Sequence, residues 1–362
     1  MAGDSPMTVL HYTGATDDQG GIAAVIRNLA AAERFRCVLG VSAGFVRRDA
    51  SGMDVLELPA LATEEIGPAN LLRARPVARA VQAWLRADAT RVFHGHSRAG
   101  LLVGLWLHWF GERRVVVSVH CYGRQRWFYR WAARQLASRL YWLTPAMKRH
   151  YGCADRTWAG CMPDGLTAPL PAAMRRGPAE GQVLRLGGAG ALVHWKRWDL
   201  VLAALARLPA DSKVRFTHIG EKLATPESHA CAEALRAQTA QLGLADRVQW
   251  SGWQPGSAGL LGEVDAIVVP SDREPFSMIA LEAMFAGVPV IATRGGGPED
   301  FIIDGKNGWL VPAGDAAALA QQFQQCLDPA AWRSLRLSPE HLRKFSATET
   351  LAARWAEIYA AL

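Results

Sequence analysis

Short apolar runs rich in β-branched residues alternate with longer segments of helical periodicity along the whole chain. In the first half, five such runs end in small or polar residues and predict strands at 8–14, 37–44, 55–60, 91–97 and 114–120. Between them, residues 21–32 and 69–85 repeat their apolar positions with the period of a helix. Continuous apolar strands that alternate with helices predict a parallel sheet covered on both faces.

The alternation stops at residues 163–181, a stretch dense in Pro, Gly and Ala, and then resumes. Six further strands are predicted at 182–188, 213–220, 247–253, 264–271, 288–296 and 308–314. The closing segment, 340–362, is predicted to be helical, with Leu351, Trp355 and Tyr359 on one face. We therefore expect an α/β protein of two doubly wound domains, with ligands bound beyond the carboxyl ends of the strands.

We place the first domain at 1–170 and the second at 180–345, and expect the helix at about 346–362 to pack back on the first. Each domain can bury a full core, because half of the 362 residues are hydrophobic and only 20% are charged. The six cysteines show no metal-like spacing, which favours a reducing compartment. Without a signal-peptide pattern or a run of eighteen apolar residues, we expect a cytoplasmic location.

The net charge of +7 is matched by one segment, residues 122–150, which carries seven basic residues and no acidic one. Aromatic residues are interleaved with these charges, as is typical of contact with an anionic membrane surface or an acidic acceptor. A solvated helix whose aromatics pack into the core is the alternative. No nucleic-acid partner is expected, because the rest of the chain is charge-balanced and has no recognition motif.

The most informative segment is 271–311, in which a predicted strand leads through a loop into a helix. Glu274 lies in the loop before the helix, and Glu282 lies inside the helix eight positions later. The N-terminus of a helix offers free backbone N–H groups that can hold a diphosphate without a metal. Carboxylates accept hydrogen bonds from neighbouring hydroxyls of a ribose or a sugar ring. The arrangement favours a nucleotide-sugar over two solvated glutamates beside an ordinary helix.

This segment resembles the E-x7-E signature of the retaining glycosyltransferases of family 4, which have the GT-B fold. The resemblance implies two Rossmann-like doubly wound parallel-sheet domains that face an interdomain cleft, the first binding the acceptor and the second the nucleotide-sugar. It also implies that Glu282 holds the ribose and that Glu274 contacts the transferred sugar. The backbone that would meet sugar and phosphate belongs to Phe276, Ser277 and Met278, and the GGGPED motif places Glu299 near the same site. Family members usually have glycine at the position of Ser277.

Residues 190–205 resemble the family segment that begins the nucleotide-binding domain. Lys196 matches the lysine that neutralises the donor phosphates and the charge of the leaving group. The family's arginine, five residues earlier, is replaced by Ala191. Either Arg197 replaces this cation, or the affinity for the donor is lower, or the N-terminal domain supplies a cation. Residues 248–254 resemble a strand end beside the nucleotide, which places Trp253 and Gln254 near the base.

In the N-terminal half, Gly20 and Gly21 precede a helix as the family's glycine loop does, so the backbone of Gly21 is expected near phosphate or acceptor. His120 ends a predicted strand where the family commonly has a histidine near the transferring centre. His94 and His96 end a neighbouring strand, and for all three a structural role is the alternative.

The resemblance implies transfer with retention of configuration, in which the departing diphosphate takes the proton of the acceptor hydroxyl. No Asp-x-Asp signature occurs, so we expect activity without a metal or other cofactor, with a UDP- or GDP-type donor. The basic segment favours a glycan or lipid-linked acceptor, as in lipopolysaccharide or other envelope polysaccharide synthesis. The alternatives are a sugar-nucleotide epimerase, a phosphorylase, a non-catalytic nucleotide-sugar-binding subunit and, from the LGGAG at 186–190, a Rossmann oxidoreductase.

Overall fold

A computed structural model of the chain describes residues 7–15, 17, 20–47, 52–61, 66–158, 160–169, 173–336 and 338–362. The chain forms two compact units. Unit 1 comprises residues 1–167 and 344–362, and unit 2 comprises residues 168–343. The chain thus leaves unit 1 inside the Pro- and Gly-rich stretch at 163–181 and returns to it near its end.

Unit 1 contains a parallel sheet with the strand order β3-β2-β1-β4-β5-β6-β7. Its strands are β1 Thr8–Tyr12, β2 Arg36–Ser42, β3 Asp54–Leu58, β4 Arg91–His96, β5 Val115–Val119, β6 Leu140–Trp142 and β7 Gly160–Cys161. The first five confirm the predicted strands. Strands β6 and β7 were not predicted, because three and two residues are too short to show a periodic pattern.

Five helices of unit 1 connect these strands: α1 Gly21–Ala31, α2 Pro68–Arg86, α3 Ser97–Trp109, α4 Arg126–Leu136 and α5 Pro145–His150. Strand β5 and the middle of α3 are completely buried, so the sheet is covered on the face that α3 occupies. No helix among the described residues is both long enough and apolar enough to cross a membrane.

Unit 2 contains a parallel sheet with the order β10-β9-β8-β11-β12-β13, and all six of its predicted strands are confirmed. The strands are β8 Leu184–Ala189, β9 Val214–Ile219, β10 Val248–Trp250, β11 Ala266–Val269, β12 Val290–Thr293 and β13 Gly308–Val311. Its helices are α6 Trp198–Arg207, α7 Pro226–Gln241, α8 Ala258–Glu263, α9 Met278–Phe285, α10 Ala316–Gln325 and α11 Pro339–Arg343. In each sheet, successive strands are added first on one side of the first strand (β1 or β8) and then on its other side. This reversal of strand order is the doubly wound pattern expected from the sequence.

The closing segment departs from the single helix predicted for 340–362. It consists of α11, a π-helical turn Ala347–Leu351 and α12 Ala352–Ala360. The break has a local cause, since the Ser346 side chain accepts a hydrogen bond from Glu349 N and so starts a new helical segment. The predicted face is confirmed, because Leu351, Trp355 and Tyr359 are all buried within unit 1.

The carboxyl ends of three strands in unit 2 are joined by close backbone contacts between glycines. Gly190 N donates to Ile219 O at 3.0 Å, and Gly220 N donates to Gly252 O at 2.7 Å. At Gly220 an added Cβ would lie 2.1 Å from Gly190 O, so a side chain there would separate the ends of β8 and β9. At these positions the edge of the sheet therefore presents partly exposed backbone without side chains.

Candidate functional site

An ion pair connects the two motifs in which the sequence predicts chemistry in unit 2. Lys196, in a 3-10 turn after β8, donates from Nζ to Glu274 Oε2 at 2.7 Å. The two side chains are only 14% and 6% exposed. Residues 78 positions apart thus meet at the carboxyl edge of the sheet, with their charges shielded from most of the solvent.

The loop that carries Glu274 is held by a second loop, residues 295–297. Glu274 N donates to Gly295 O at 2.9 Å, and Gly297 N donates to Glu274 O at 2.7 Å. A Cβ on Gly297 would lie 2.4 Å from Phe276 Cα, so only glycine permits this approach. The glycines of the GGGPED motif therefore have a structural role. They let the loop at 295–297 pack closely against the loop of Glu274, and this contact fixes the backbone from which the Glu274 carboxylate extends.

Helix α9 begins at the end of this loop with an unusual residue. Ser277 is its N-cap and has φ +81°, a left-handed conformation in which glycine is favoured. The residue is 5% exposed, and its Oγ has no hydrogen-bond partner among the described residues. Burying a hydroxyl without a partner costs free energy, which a ligand could recover by hydrogen bonding to it. The Ser277 hydroxyl is therefore available to a ligand at the N-terminus of this helix.

Glu282 lies inside α9, as predicted, and its carboxylate is oriented by a serine from another strand end. Ser257 Oγ, in the loop after β10, donates to Glu282 Oε2 at 2.6 Å. Phe276 directs its ring into the core against Phe301, at 5.3 Å between centroids. Phe276 therefore offers only its backbone to a ligand, as the sequence analysis assumed, while the partly exposed Met278 begins the helix.

Arg197 does not lie free beside Lys196. Its guanidinium bonds Asp199 at 3.0 Å and Asp272 at 2.7 Å. These hydrogen bonds, with that to Asp199 the larger, raise the pKa of Arg197 above its ordinary value. Since two carboxylates already neutralise it, Arg197 is a poor substitute for the cation that is missing at Ala191.

Two predicted residues at the periphery make only local contacts among the described residues. Gln254 is exposed, and its Nε2 lies 3.4 Å from Ser251 O. Glu299 is also exposed and accepts a hydrogen bond from Gly296 N at 3.0 Å, closing the turn at 297–300. The neighbour of Gln254, Trp253, is 43% exposed and is free to stack on a planar group.

The predicted residues of unit 1 have different surroundings. Gly21 is the exposed first residue of α1, and Gly20 before it has φ +87°, so this turn depends on glycine. The side chain of His120 is 4% exposed, and its Nδ1 lies 3.5 Å from Asp164 Oδ2. Its Nε2 lies 3.0 Å from His96 Nδ1. Both ring nitrogens of His120 therefore have partners within unit 1.

The basic segment at 122–150 has aromatic residues packed into the core and also a face that is exposed to solvent, so each of the two interpretations of the sequence describes part of it. Phe128, Tyr129 and Trp142 are buried, so much of its aromatic content belongs to the core of unit 1. The remaining face of α4 is different, because Trp127 is 67% exposed. Four exposed arginines lie in or just before α4, namely Arg124, Arg126, Arg130 and Arg134.

A second basic feature lies in unit 2, at a cavity of about 630 Å³. Four arginines contribute to its lining, namely Arg175, Arg176, Arg333 and Arg336. None of the predicted site residues lines it. It is therefore separate from the Lys196–Glu274 site.

Three site residues were missed by sequence reasoning, because each acts by supporting another. Ser271 Oγ donates to Glu274 Oε2 at 2.8 Å, and Ser257 supports Glu282 in the same way. Asp164 approaches His120 in unit 1. Ser271 had a usable signal, as the polar end of a predicted strand, whereas Ser257 and Asp164 lie in loops whose path the sequence does not reveal.

Comparison with known proteins finds relatives of unit 2 by sequence. Residues 184–329, the core of unit 2, match the family model of glycosyl transferases group 1. The lipopolysaccharide core biosynthesis glycosyltransferase LpsE of Rhizobium meliloti is 33% identical over 148 residues, which are 41% of this chain and 40% of that protein. LpsD of the same organism is 37% identical over 127 residues, 34% of each chain. The matched region thus spans less than half the length of these relatives.

Solved structures extend the likeness to the fold of both units. Anabaena HepE, determined in complex with UDP-glucose, has a TM-score of 0.79 and 19% identity, and the match covers 98% of this chain and 100% of that one. The lipopolysaccharide outer core galactosyltransferase WaaB, in its apo form, has a TM-score of 0.70 and 16% identity over 98% and 100% of the two chains. From the two doubly wound sheets and these structures, we conclude that the chain has the GT-B fold, and its residues 184–329 are similar to the glycosyl transferases group 1.

Proposed function

We propose that this chain is a retaining glycosyltransferase that transfers a sugar from a nucleotide-sugar to a glycan or lipid-linked acceptor. The observation that carries the proposal is the Lys196–Glu274 pair at the N-terminal end of α9. One ammonium, one oriented carboxylate and the free N–H groups of a helix N-terminus together suit a sugar diphosphate.

Each group then has a role. Lys196 and the backbone at 276–278 would stabilise the diphosphate as it leaves, and Glu274 would orient the transferred sugar. Glu282, already held by Ser257, would accept the hydroxyls of the ribose. The diphosphate oxygen that departs would take the proton of the acceptor hydroxyl. Because the similarly folded Anabaena HepE was determined in complex with UDP-glucose, a UDP-sugar is our first choice of donor.

Donor binding is tested most directly by thermal stabilisation with nucleoside diphosphates and nucleotide-sugars. Ligand at about a hundred times its dissociation constant adds about 2.7 kcal/mol. We expect a shift with one base, lost in Glu282→Gln and kept in Glu233→Gln, which changes an exposed glutamate on α7. No shift with any nucleotide would contradict the proposal. A shift without turnover on water or any acceptor would instead indicate a binding subunit.

We further propose that the donor diphosphate is held without a divalent ion, because the backbone and Lys196 supply the positive potential. Release of nucleoside diphosphate should then be unchanged in EDTA and not increased by added Mg²⁺ or Mn²⁺. A loss of turnover in chelator that Mg²⁺ restores would show that a metal does this work.

For the acceptor side, we propose that the exposed face of α4 contacts the anionic inner surface of the cytoplasmic membrane. Trp127 can enter the interface, while the arginines beside it face the head groups, each contributing about 1 kcal/mol. This surface would bring the enzyme to a lipid-linked acceptor, as in envelope polysaccharide synthesis.

Sedimentation with vesicles tests this contact. The wild type should bind vesicles that contain phosphatidylglycerol and not vesicles of phosphatidylcholine alone. Trp127→Ala and the triple change Arg126→Gln, Arg130→Gln, Arg134→Gln should each weaken binding. Leu72→Ala, which removes an exposed apolar side chain of α2, is the control and should bind as the wild type does. Equal binding by all variants would exclude α4 as the contact surface.

A further inference from the structure

Unit 1 contains a buried chain of hydrogen bonds that ends at His120. His120 Nε2 lies 3.0 Å from His96 Nδ1, and His96 Nε2 lies 3.0 Å from His11 Nδ1. His11 Nε2 lies 3.5 Å from Cys37 Sγ. At the other end, His120 Nδ1 faces Asp164 Oδ2. Three imidazoles thus connect a buried thiol to a buried carboxylate.

The chain has one favourable direction when every ring is neutral. A neutral imidazole has one N–H and one lone pair, so each ring must donate on one side and accept on the other. The Asp164 carboxylate selects the proton on His120 Nδ1, because a lone pair there would face a negative charge. His120 Nε2 must then accept from His96 Nδ1–H, His96 Nε2 from His11 Nδ1–H, and His11 Nε2 from the Cys37 thiol.

Burial keeps His11, His96 and Cys37 neutral. His11, His94 and His96 are at most 1% exposed. Desolvation lowers the pKa of His11 to about 3 and raises the pKa of Cys37 to about 12. Desolvation also lowers the pKa of His96 well below its usual range. The thiol therefore retains its proton, and neither imidazole is charged at neutral pH.

We propose that His96, His11 and Cys37 are positioning residues for His120: they form a directed hydrogen-bond chain that donates to its Nε2, keeps its proton on Nδ1 and fixes the orientation of its ring. The role of His120 in transfer rests on the proposed function, whereas the direction of the chain does not. If His120 contacts the substrates in every turnover, a fixed tautomer ensures that the same ring nitrogen carries the proton each time.

A metal site is the competing interpretation, because donor atoms of His11, His94 and His96 lie within 4.8 Å of one another. Every ring nitrogen of this trio already has a polar partner. His94 Nδ1 lies 2.6 Å from Tyr359 Oη, and His94 Nε2 lies 2.8 Å from Ser118 Oγ. A bound ion would have to break several of these hydrogen bonds, which favours the chain over the metal site.

The test is a long-range ¹H–¹⁵N correlation spectrum of the full-length protein labelled in histidine, which reports the tautomer of each ring. We expect neutral Nδ1–H tautomers for His11, His96 and His120. An Nε2–H tautomer or an imidazolium for any of the three at pH 7.5 would overturn the proposal. So would a stoichiometric shift of the His11, His94 and His96 signals on addition of Zn²⁺. This measurement needs no variant and no activity.

Two variants of His96 then distinguish its hydrogen bond to His120 from its contribution to the packing of the core. His96→Asn keeps a donor near the place of Nδ1, whereas His96→Gln places its amide near Nε2 and leaves His120 Nε2 without a donor. We expect His120 to remain a single tautomer in His96→Asn and to become a mixture in His96→Gln, with a lower kcat at unchanged donor KM. His229→Asn, an exposed change on α7, should alter neither. Identical tautomers in both His96 variants would contradict the positioning role. Absence of turnover in every protein, the wild type included, would contradict only the proposed function.

Discussion

The two sheets end in polar side chains of opposite character. In unit 2, Lys196 and Glu274 are charged, paired and only 14% and 6% exposed. In unit 1, His11, His94 and His96 are as deeply buried but are neutral, because desolvation dominates their pKa values. A charge in a poorly solvated place requires a counter-charge, whereas a neutral imidazole requires only hydrogen bonds. Charge is thus retained at the edge where an anionic substrate is proposed, and avoided where the groups only have to be oriented.

Because its buried histidines are held neutral, the protein should lose stability in acid, and this is the largest effect that we expect. The folded pKa of His11 is about 3 and lies below its unfolded value of about 6.5, so the unfolded chain binds more protons between these values. The free energy of unfolding should therefore fall as the pH falls from 6.5, by about 1.4 kcal/mol per unit and about 5 kcal/mol in all for His11.

Urea unfolding of the full-length protein between pH 7.5 and 4 measures about 3.5 kcal/mol of this loss, the part that falls between pH 6.5 and 4. His94 and His96 face the same ring and add to the slope, while Cys37 remains a thiol throughout. Carboxylates also titrate near the lower end of this range, so the comparison is between variants. His11→Asn should have a shallower slope than the wild type, and the exposed His229→Asn should not. Equal slopes for wild type and His11→Asn would mean that His11 is already protonated.

Removing the charge in unit 2 tests the other half of the comparison. Lys196→Met keeps most of the side-chain length but leaves the Glu274 carboxylate without its cation, and it should lower kcat about 10²- to 10³-fold. Lys213→Met, at an exposed lysine of the same unit, is the matched control and should have wild-type kcat. Release of nucleoside diphosphate from the donor measures both. A kcat for Lys196→Met within threefold of the wild type would show that the ion pair is only structural.

The same contrast explains how far the sequence could predict the molecule. Strand positions in both units were predictable, because continuous apolar runs such as Ala266–Val269 are visible without any partner. The placement of Glu274 before α9 and of Glu282 inside it was predictable from their fixed spacing around the start of a helix. The support from Ser257 and Asp164 was not predictable, since each comes from a loop distant in sequence. The double neutralisation of Arg197 was hidden for the same reason, because Asp272 lies 75 positions away.

The smallest effect concerns Ser277, an uncharged group at the charged edge. Its buried hydroxyl has no partner among the described residues, and its φ of +81° is strained for a residue with a Cβ. Without ligand, Ser277→Ala should raise the free energy of unfolding by about 1 kcal/mol by removing the unsatisfied hydroxyl, and Ser277→Gly should also relieve the backbone.

If the hydroxyl donates to the donor diphosphate, both variants should bind the nucleotide-sugar about tenfold more weakly, the equivalent of one charge-assisted hydrogen bond. Ser212→Ala removes another hydroxyl of unit 2 that lacks a partner among the described residues, and it should leave donor affinity unchanged. Calorimetric titration with the nucleotide-sugar decides the matter, because tighter binding by Ser277→Gly would mean that the serine only obstructs a place where the family usually has glycine.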